Sequence, residues 1–176
     1  MHLEKDNLVI RDARAEDAAL LCGWWNDGVV MAHAGFPNGL DTTPEKIAAS
    51  LAGDTDASRR LIIELDGKPI GEMSYSDEGG GVAGIGIKIC DFSKQEQGHG
   101  TKYLCMLIDE LFSGLGFQKI ILDTNLNNTR AQHVYEKIGF IKTAVHMNSW
   151  RNQLGELQSQ VDYELLRSAF YQKYHP

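Results

Sequence analysis

SKQEQGHGTKYLCMLIDELF, residues 93–112, decides how this chain folds. Gly98 and Gly100 stand directly before a run in which Leu104, Leu107, Ile108, Leu111 and then Leu115 recur at helical spacing. Just upstream, VAGIGIKIC (82–90) places Ile85, Ile87 and Ile89 on one face, as a strand does. A strand, a glycine loop and a helix start in succession offer backbone N–H groups and the positive end of a helix dipole to an anion. The glycines allow close approach because no Cβ stands in the way.

Working outward, NLVIRDA (7–13) reads as a first strand and AEDAALLCGWWND (15–27) as a helix with acids at its start. TTPEKIAASLAGD (42–54) predicts a short helix capped by Thr43, with Pro44 at its first position and Gly53 at its end. RLIIELDGKPIGEMSYS (60–76) is two β-rich runs around Asp66-Gly67, a dipeptide suited to a tight hairpin. Downstream, FQKIILD (117–123) predicts a strand, NTRAQHVYEKIG (128–139) a helix, and FIKTAVHMNSW (140–150) with ELQSQVDYELL (156–166) a closing hairpin. The order β-α-α-β-β-β-α-β-α-β-β makes an α/β (α+β) protein with antiparallel hairpins and one central crossover. No repeat or linker interrupts it, so one domain over residues 1–176 is expected.

Seventeen basic against 24 acidic residues give a formal charge of −7. With no basic block, nucleic-acid binding through phosphate neutralisation is not expected, whereas a cationic substrate is compatible with the acidic balance. No apolar run reaches membrane-span length and the first residues lack a signal segment, so no membrane partner and a cytoplasmic location are expected. Cys22, Cys90 and Cys105 form no Cys-x-x-Cys pair, and His33, His99, His133 and His146 lack ligand spacing; no metal is expected.

Taken alone, the loop admits several readings. GHGTK has the wrong order for a mononucleotide P-loop. A dinucleotide loop would need a third glycine where Tyr103 stands, although Asp123 lies near the position of its ribose-binding acid. A tight turn that holds nothing is the remaining reading.

Gln95-Glu96-Gln97-Gly98-His99-Gly100 fits Gln/Arg-x-x-Gly-x-Gly/Ala, and here the chain resembles the GCN5-related N-acetyltransferases. A second motif, NNTRAQHVYEKIGF (127–140), is similar to that family's pattern at Asn128, Ala131, Tyr135, Glu136, Lys137, Gly139 and Phe140. The resemblance spans most of residues 8–168, within the RimJ/RimL-like branch of ribosomal-protein alanine acetyltransferases and aminoglycoside 6'-acetyltransferases. It implies a mixed, mostly antiparallel sheet of about seven strands, splayed between the fourth and fifth around the coenzyme, with about four helices. It also implies acetyl-CoA as co-substrate and direct transfer to a primary amine of a small molecule or a protein N-terminus. An aminoglycoside 6'-acetyltransferase and a non-catalytic acyl-CoA-binding module are the alternatives. A homodimer is an expectation by analogy only.

Amine attack on a thioester needs a proton acceptor, an oxyanion donor and an acid for the departing thiolate. The resemblance puts Tyr135 in the acid's place, where an aromatic on an amphipathic helix would otherwise be core. For the base it leaves Asp123, at a strand end, and Glu72, on the strand beside the cleft. It assigns the oxyanion donor to backbone N–H groups near Ile89 and Cys90, the coenzyme arm to Asn128, and the pyrophosphate to Gln95, Glu96, Gln97, Gly98, His99, Gly100 and Thr101. Glu96 then has to point to solvent, since a carboxylate beside a pyrophosphate is unfavourable. Trp24, Trp25 and Trp150 are candidates for an aromatic wall facing a cationic amine, with core packing the competing role for at least one.

Overall fold

The computed structural model describes residues 1–174. Its elements are β1 (His2–Lys5), β2 (Leu8–Asp12), α1 (Ala18–Asn26), α2 (Gly28–Met31), α3 (Pro44–Leu51), β3 (Ser58–Leu65), β4 (Lys68–Gly79) and β5 (Val82–Ile89). They continue with α4 (His99–Ser113), β6 (Lys119–Asn125), α5 (Thr129–Ile138), β7 (Ile141–Arg151), β8 (Leu157–Leu166) and α6 (Arg167–Tyr174). The eight strands form one sheet in the order β1-β2-β3-β4-β5-β6-β8-β7.

Every strand and helix expected from the sequence is present, and three elements are added. β1 folds back on β2 through Asp6, whose φ of 55° makes the turn. α2 is a four-residue helix that Asp27 caps through the Val29 and Val30 amides. α6 docks Phe170 against Phe112, ring centroids 5.8 Å apart, a contact that no local periodicity announces. Leu115 departs from the expected stripe: α4 stops at Ser113, and Leu115 beyond it is exposed.

Local chemistry explains the other boundaries. Thr43 accepts from the Lys46 amide at the head of α3, where Pro44 has no N–H to lose. That helix yields at Ala52 in ordinary right-handed geometry, so Gly53 follows its end without a left-handed cap. Asp66 and Gly67 have φ of 53° and 72°, the paired positive values that a two-residue hairpin needs.

The sheet separates two apolar layers. On one face α4, α5 and α6 cover Ile10, Leu61, Ile63, Met73, Ile120, Leu122, Val161 and Tyr163. On the other, α1 and α3 cover only Ile62, through Ala18, Leu21, Ile47 and Leu51. Strand alternation sets this division, since Leu61 and Ile63 point one way and Ile62 the other. On this second face α1 also reaches β4, where Trp25 meets Glu72, and the turn after α2 approaches β6, so only the stretch around Ser74, Gly84, Asp123 and Asp162 has no helix over it among the described residues.

The sheet parts at its centre. β5 and β6 are parallel and pair only at Val82–Lys119, Ala83–Ile120 and Gly84–Ile121. Beyond these, β5 stays with β4 as far as Gly71–Ile89, and β6 stays with β8 as far as Asn125–Gln160. Each strand is held by its outer neighbour, and the twist between them opens a wedge at their carboxyl ends. Both following helices, α4 and α5, begin at that wedge.

Candidate active site

A cavity of about 980 Å³ fills the wedge. Of the sequence-predicted residues, Ile89, Gln95, Glu96, Gly98, Gly100, Thr101, Asp123, Asn128 and Tyr135 line it. Gln97, His99, Cys90, Glu72, Trp24 and Trp25 do not, while Trp150 does.

Gly98 opens α4 in the left-handed region, with φ of 78°, and a Cβ there would meet nothing. Conformation rather than space is therefore its requirement. The α4 start presents its first amides to the cavity, a ready anion cradle. Glu96 also has a positive φ of 60°, which throws its side chain out to solvent, 79% exposed and 3.8 Å from the Arg130 guanidinium. The guanidinium offsets its charge at the rim of the cavity, which both residues line. The same guanidinium donates to Gln95 Oε1 at 2.6 Å. Gln95 in turn donates to the Ile89 carbonyl at 2.8 Å, so β5, the loop and α5 are tied in one chain of contacts.

Gln97 donates to the Ser93 carbonyl and lies 3.3 Å from the His99 ring, so the two serve each other outside the cavity. Asn128 caps α5 through the Ala131 amide at 3.3 Å and also borders the cavity. The cap and cleft readings of this residue thus coexist.

At the end of β5 the backbone distinguishes Ile89 from Cys90. The Cys90 and Asp91 amides both donate to the Ile70 carbonyl, at 2.8 and 3.0 Å. The Cys90 N–H is thereby consumed, which corrects its expected place beside Ile89 as an oxyanion donor. Because alternate residues of an antiparallel strand face the partner, the Ile89 amide points away from β4, toward the wedge. Buried among apolar groups, the Cys90 thiol is pushed up to about 12, with Glu72 adding to the rise, and is no nucleophile.

Tyr135 is 6% exposed. Its ring packs edge-on against Phe140 and Tyr163, with centroids 5.9 and 5.8 Å away. Its hydroxyl makes no hydrogen bond to a described residue. Burial, with a contribution from Asp123, pushes the phenol up to about 12, so it holds its proton across the neutral range. Asp123, also without a hydrogen bond or ion pair among the described residues, is raised above the ordinary carboxylate range by burial first and by Asp162 second. An unpaired carboxylate and an unpaired phenol thus face one cavity.

Glu72 is differently placed. It accepts from Trp25 Nε1 at 2.9 and 3.0 Å and from Lys88 Nζ at 3.1 Å. Trp25 is thereby engaged at its N–H and lies under Arg60, 5.6 Å from guanidinium to ring. Trp24 packs on the α1 and α3 layer. Trp150 instead lies over Gly35, where φ is 95° and a Cβ would come within 2.5 Å of the indole.

Asp123 also lines a second cavity, of about 540 Å³, on the helix-bare stretch of the second face. Ser74, Ser76 and Glu78 border it from β4, and Asp162 and Glu164 from β8, over a floor containing Gly84 and Gly86. Residues 85, 86, 123 and 160 belong to both cavities, so the two meet where the strands part. Reading the sequence alone missed Arg130, Asp162 and Glu164. Arg130 lay inside the second motif, whereas Asp162 and Glu164 alternate with buried Val161, Tyr163 and Leu165, a pattern that any strand with one buried face shows. No group of His, Cys, Asp or Glu among the described residues is arranged to hold a metal ion, and no helix there is long and apolar enough to cross a membrane.

A sheet prised open at one parallel pair, with a helix-start cradle on one face and an acid-lined cavity on the other, defines a coenzyme-dependent transferase of the acyl-transfer class. The acetyltransferase (GNAT) domain model matches residues 7–141, and the chain belongs to that family, whose members move an acetyl group from acetyl-CoA to an amine. Aminoglycoside N(6')-acetyltransferase type 1 of Klebsiella pneumoniae is 29% identical over 151 residues, covering 77% of this chain and 74% of that one. Among solved structures, spermidine N-acetyltransferase from Vibrio cholerae, in complex with CoA and spermine, superposes with a TM-score of 0.82. It is 22% identical and covers 94% of this chain and 99% of its own. RimL, a ribosomal-protein α-N-acetyltransferase in complex with coenzyme A, gives a TM-score of 0.85 at 16% identity, covering 96% and 99%.

Proposed function

We propose that acetyl-CoA lies along the first cavity with its pyrophosphate on the α4 start, and that a small amine carrying more than one positive charge enters from the second. The observation that carries this reading is the meeting of the two cavities at Asp123, beside the Tyr135 hydroxyl. Four carboxylates, on Glu78, Asp123, Asp162 and Glu164, border the acceptor side and favour a polycation over a protein N-terminus with its single ammonium. The names of the polyamine and aminoglycoside relatives point the same way.

In this mechanism Asp123 accepts the proton that the ammonium must lose. The neutral nitrogen attacks the thioester carbonyl, and the Ile89 amide receives the developing oxyanion. Tyr135 then donates its proton to the departing coenzyme thiolate and is reprotonated by the second proton that the nitrogen sheds on becoming the amide. Arg130 meets a coenzyme phosphate by exchanging its contacts with Gln95 and Glu96. Glu72 holds Lys88 and Trp25 in place at the cavity edge, a supporting position rather than that of the base.

Coenzyme A release measured with a thiol reagent, over a panel of polyamines, aminoglycosides and short peptides, tests this reading. Turnover of polycationic amines at least tenfold faster than of peptides is expected. Turnover of peptides alone would overturn the acceptor class, and acetyl-CoA binding without turnover of any amine would favour the non-catalytic module.

A further inference from the structure

Three strands carry polar groups in a row across the helix-bare stretch of the second face. Asp123 on β6 stands directly opposite Asp162 on β8, and His146 on β7 reaches Asp162 from the other side, Nε2 to Oδ2 at 2.7 Å. Gln160 donates to the remaining oxygen, Oδ1, at 2.8 Å. Both oxygens of Asp162 are therefore held, whereas Asp123 has no such partner among the described residues. Like charges directly opposite each other on neighbouring strands are unfavourable. Here the pair sits where the two cavities meet, at the position assigned above to the base.

We propose that Asp162 and His146 are positioning residues for the proposed reaction: Asp162 strengthens Asp123 as a proton acceptor, and His146, when charged, moderates that effect. This rests on the reading of Asp123 as the base. A carboxylate beside another carboxylate disfavours its ionised form and makes it the better base, in line with the raised protonation of Asp123. Asp162 itself stays ionised, because the bonds from Gln160 and His146 outweigh its own burial. An imidazolium on its far side cancels part of the negative field that Asp123 feels. Glu164, paired with Lys119 at 3.5 Å, and Glu78, which accepts from Ser76 at 2.5 Å, also face the row, and Lys88, His33 and Tyr135 line the first cavity with Asp123. His146 is 47% exposed, so the row leads from the cavity to the surface.

Carbon-detected NMR titration of the Asp123 carboxyl in the ligand-free protein tests the arrangement without reference to turnover, with Asp123→Asn identifying the signal. Asp162→Asn is expected to lower the Asp123 midpoint by roughly 0.5 to 2 pH units, the range for unit charges about 6 Å apart between full water screening and that of a protein surface. His146→Gln is expected to raise it by a few tenths of a unit, about a third of that effect at the longer range. His146→Lys, which keeps a positive charge, should return the midpoint toward the parent value. Opposite displacements by Asp162→Asn and His146→Gln distinguish electrostatic control from loosened packing, which would move both one way. Midpoints that stay put in both variants, or move together, overturn the inference. The acidic limb of kcat/KM for a turned-over amine should follow the NMR midpoints. If the midpoints move and the limb does not, the charge arrangement stands and Asp123 is removed as the base.

Discussion

Replacing Tyr135 with Phe removes one oxygen and nothing else. The ring keeps its edge contacts with Phe140 and Tyr163. Because the hydroxyl has no hydrogen-bond partner among the described residues, its loss leaves no orphaned group behind. Folding stability should therefore change by no more than about 1 kcal/mol, or about 2–4 °C in Tm for a domain of this size. Catalysis should respond very differently. Loss of a general acid lowers kcat by roughly 100- to 10,000-fold, about 2.7 to 5.4 kcal/mol of barrier. Because the hydroxyl meets the sulfur only as the thiolate departs, calorimetric Kd for acetyl-CoA should stay within about twofold. Tyr135→Ala is the contrasting variant: it opens a cavity beside two aromatic rings, costs about 3–5 kcal/mol, and lowers Tm by roughly 10 °C. Thermal unfolding, calorimetry and coenzyme A release on the same preparations separate the two roles. A Tyr135→Phe protein that melts 5 °C or more lower, or binds acetyl-CoA more than tenfold weaker, would refute the acid reading and make the hydroxyl structural.

Arg130→Ala should weaken acetyl-CoA binding by about 3- to 30-fold through loss of an exposed phosphate contact. The ligand-free Tm should fall by no more than a few degrees, because its bonds to Gln95 and Glu96 are largely exposed; an unchanged Kd by calorimetry removes Arg130 from the coenzyme site. Arg11 holds Asp17 with two bonds of 2.7 and 2.8 Å and Glu64 with one of 2.7 Å, all mostly shielded from water. Arg11→Met strands both carboxylates and should cost about 2–3 kcal/mol, or roughly 5–10 °C in Tm at pH 7. Arg11 keeps Asp17 below the ordinary carboxylate range despite its burial. The stability due to that pairing is present above the unfolded value near pH 4 and is lost as pH falls through the lower folded one. The Tm difference between parent and variant should accordingly narrow below about pH 4, and a difference that persists to pH 2 would count against the pairing.

Much of this molecule was legible because its signals are local. The Asp66-Gly67 turn, the Thr43 cap with Pro44, the stripe from Leu104 to Leu111 and the glycines before it each depend on neighbours within a few residues, and each appears where periodicity and turn chemistry put it. Together with the motif around Tyr135, they determined the family and the half of the cleft built by the α4 and α5 starts. What escaped depends on partners far away in the chain. β8 slots between β6 and β7, and only that order sets Asp162 opposite Asp123, 39 residues apart in sequence by their numbers. The Cys90 amide is spent on Ile70 because β4 runs alongside, a fact of register with no trace in the residue itself. Glu72 and Trp25 looked like independent candidates until the approach of α1 to β4 joined them by a hydrogen bond. A strand's alternation tells which residues share a face. Which strands then lie side by side, and so which charges meet, is decided by long-range pairing, and with it the make-up of the acid-lined second cavity.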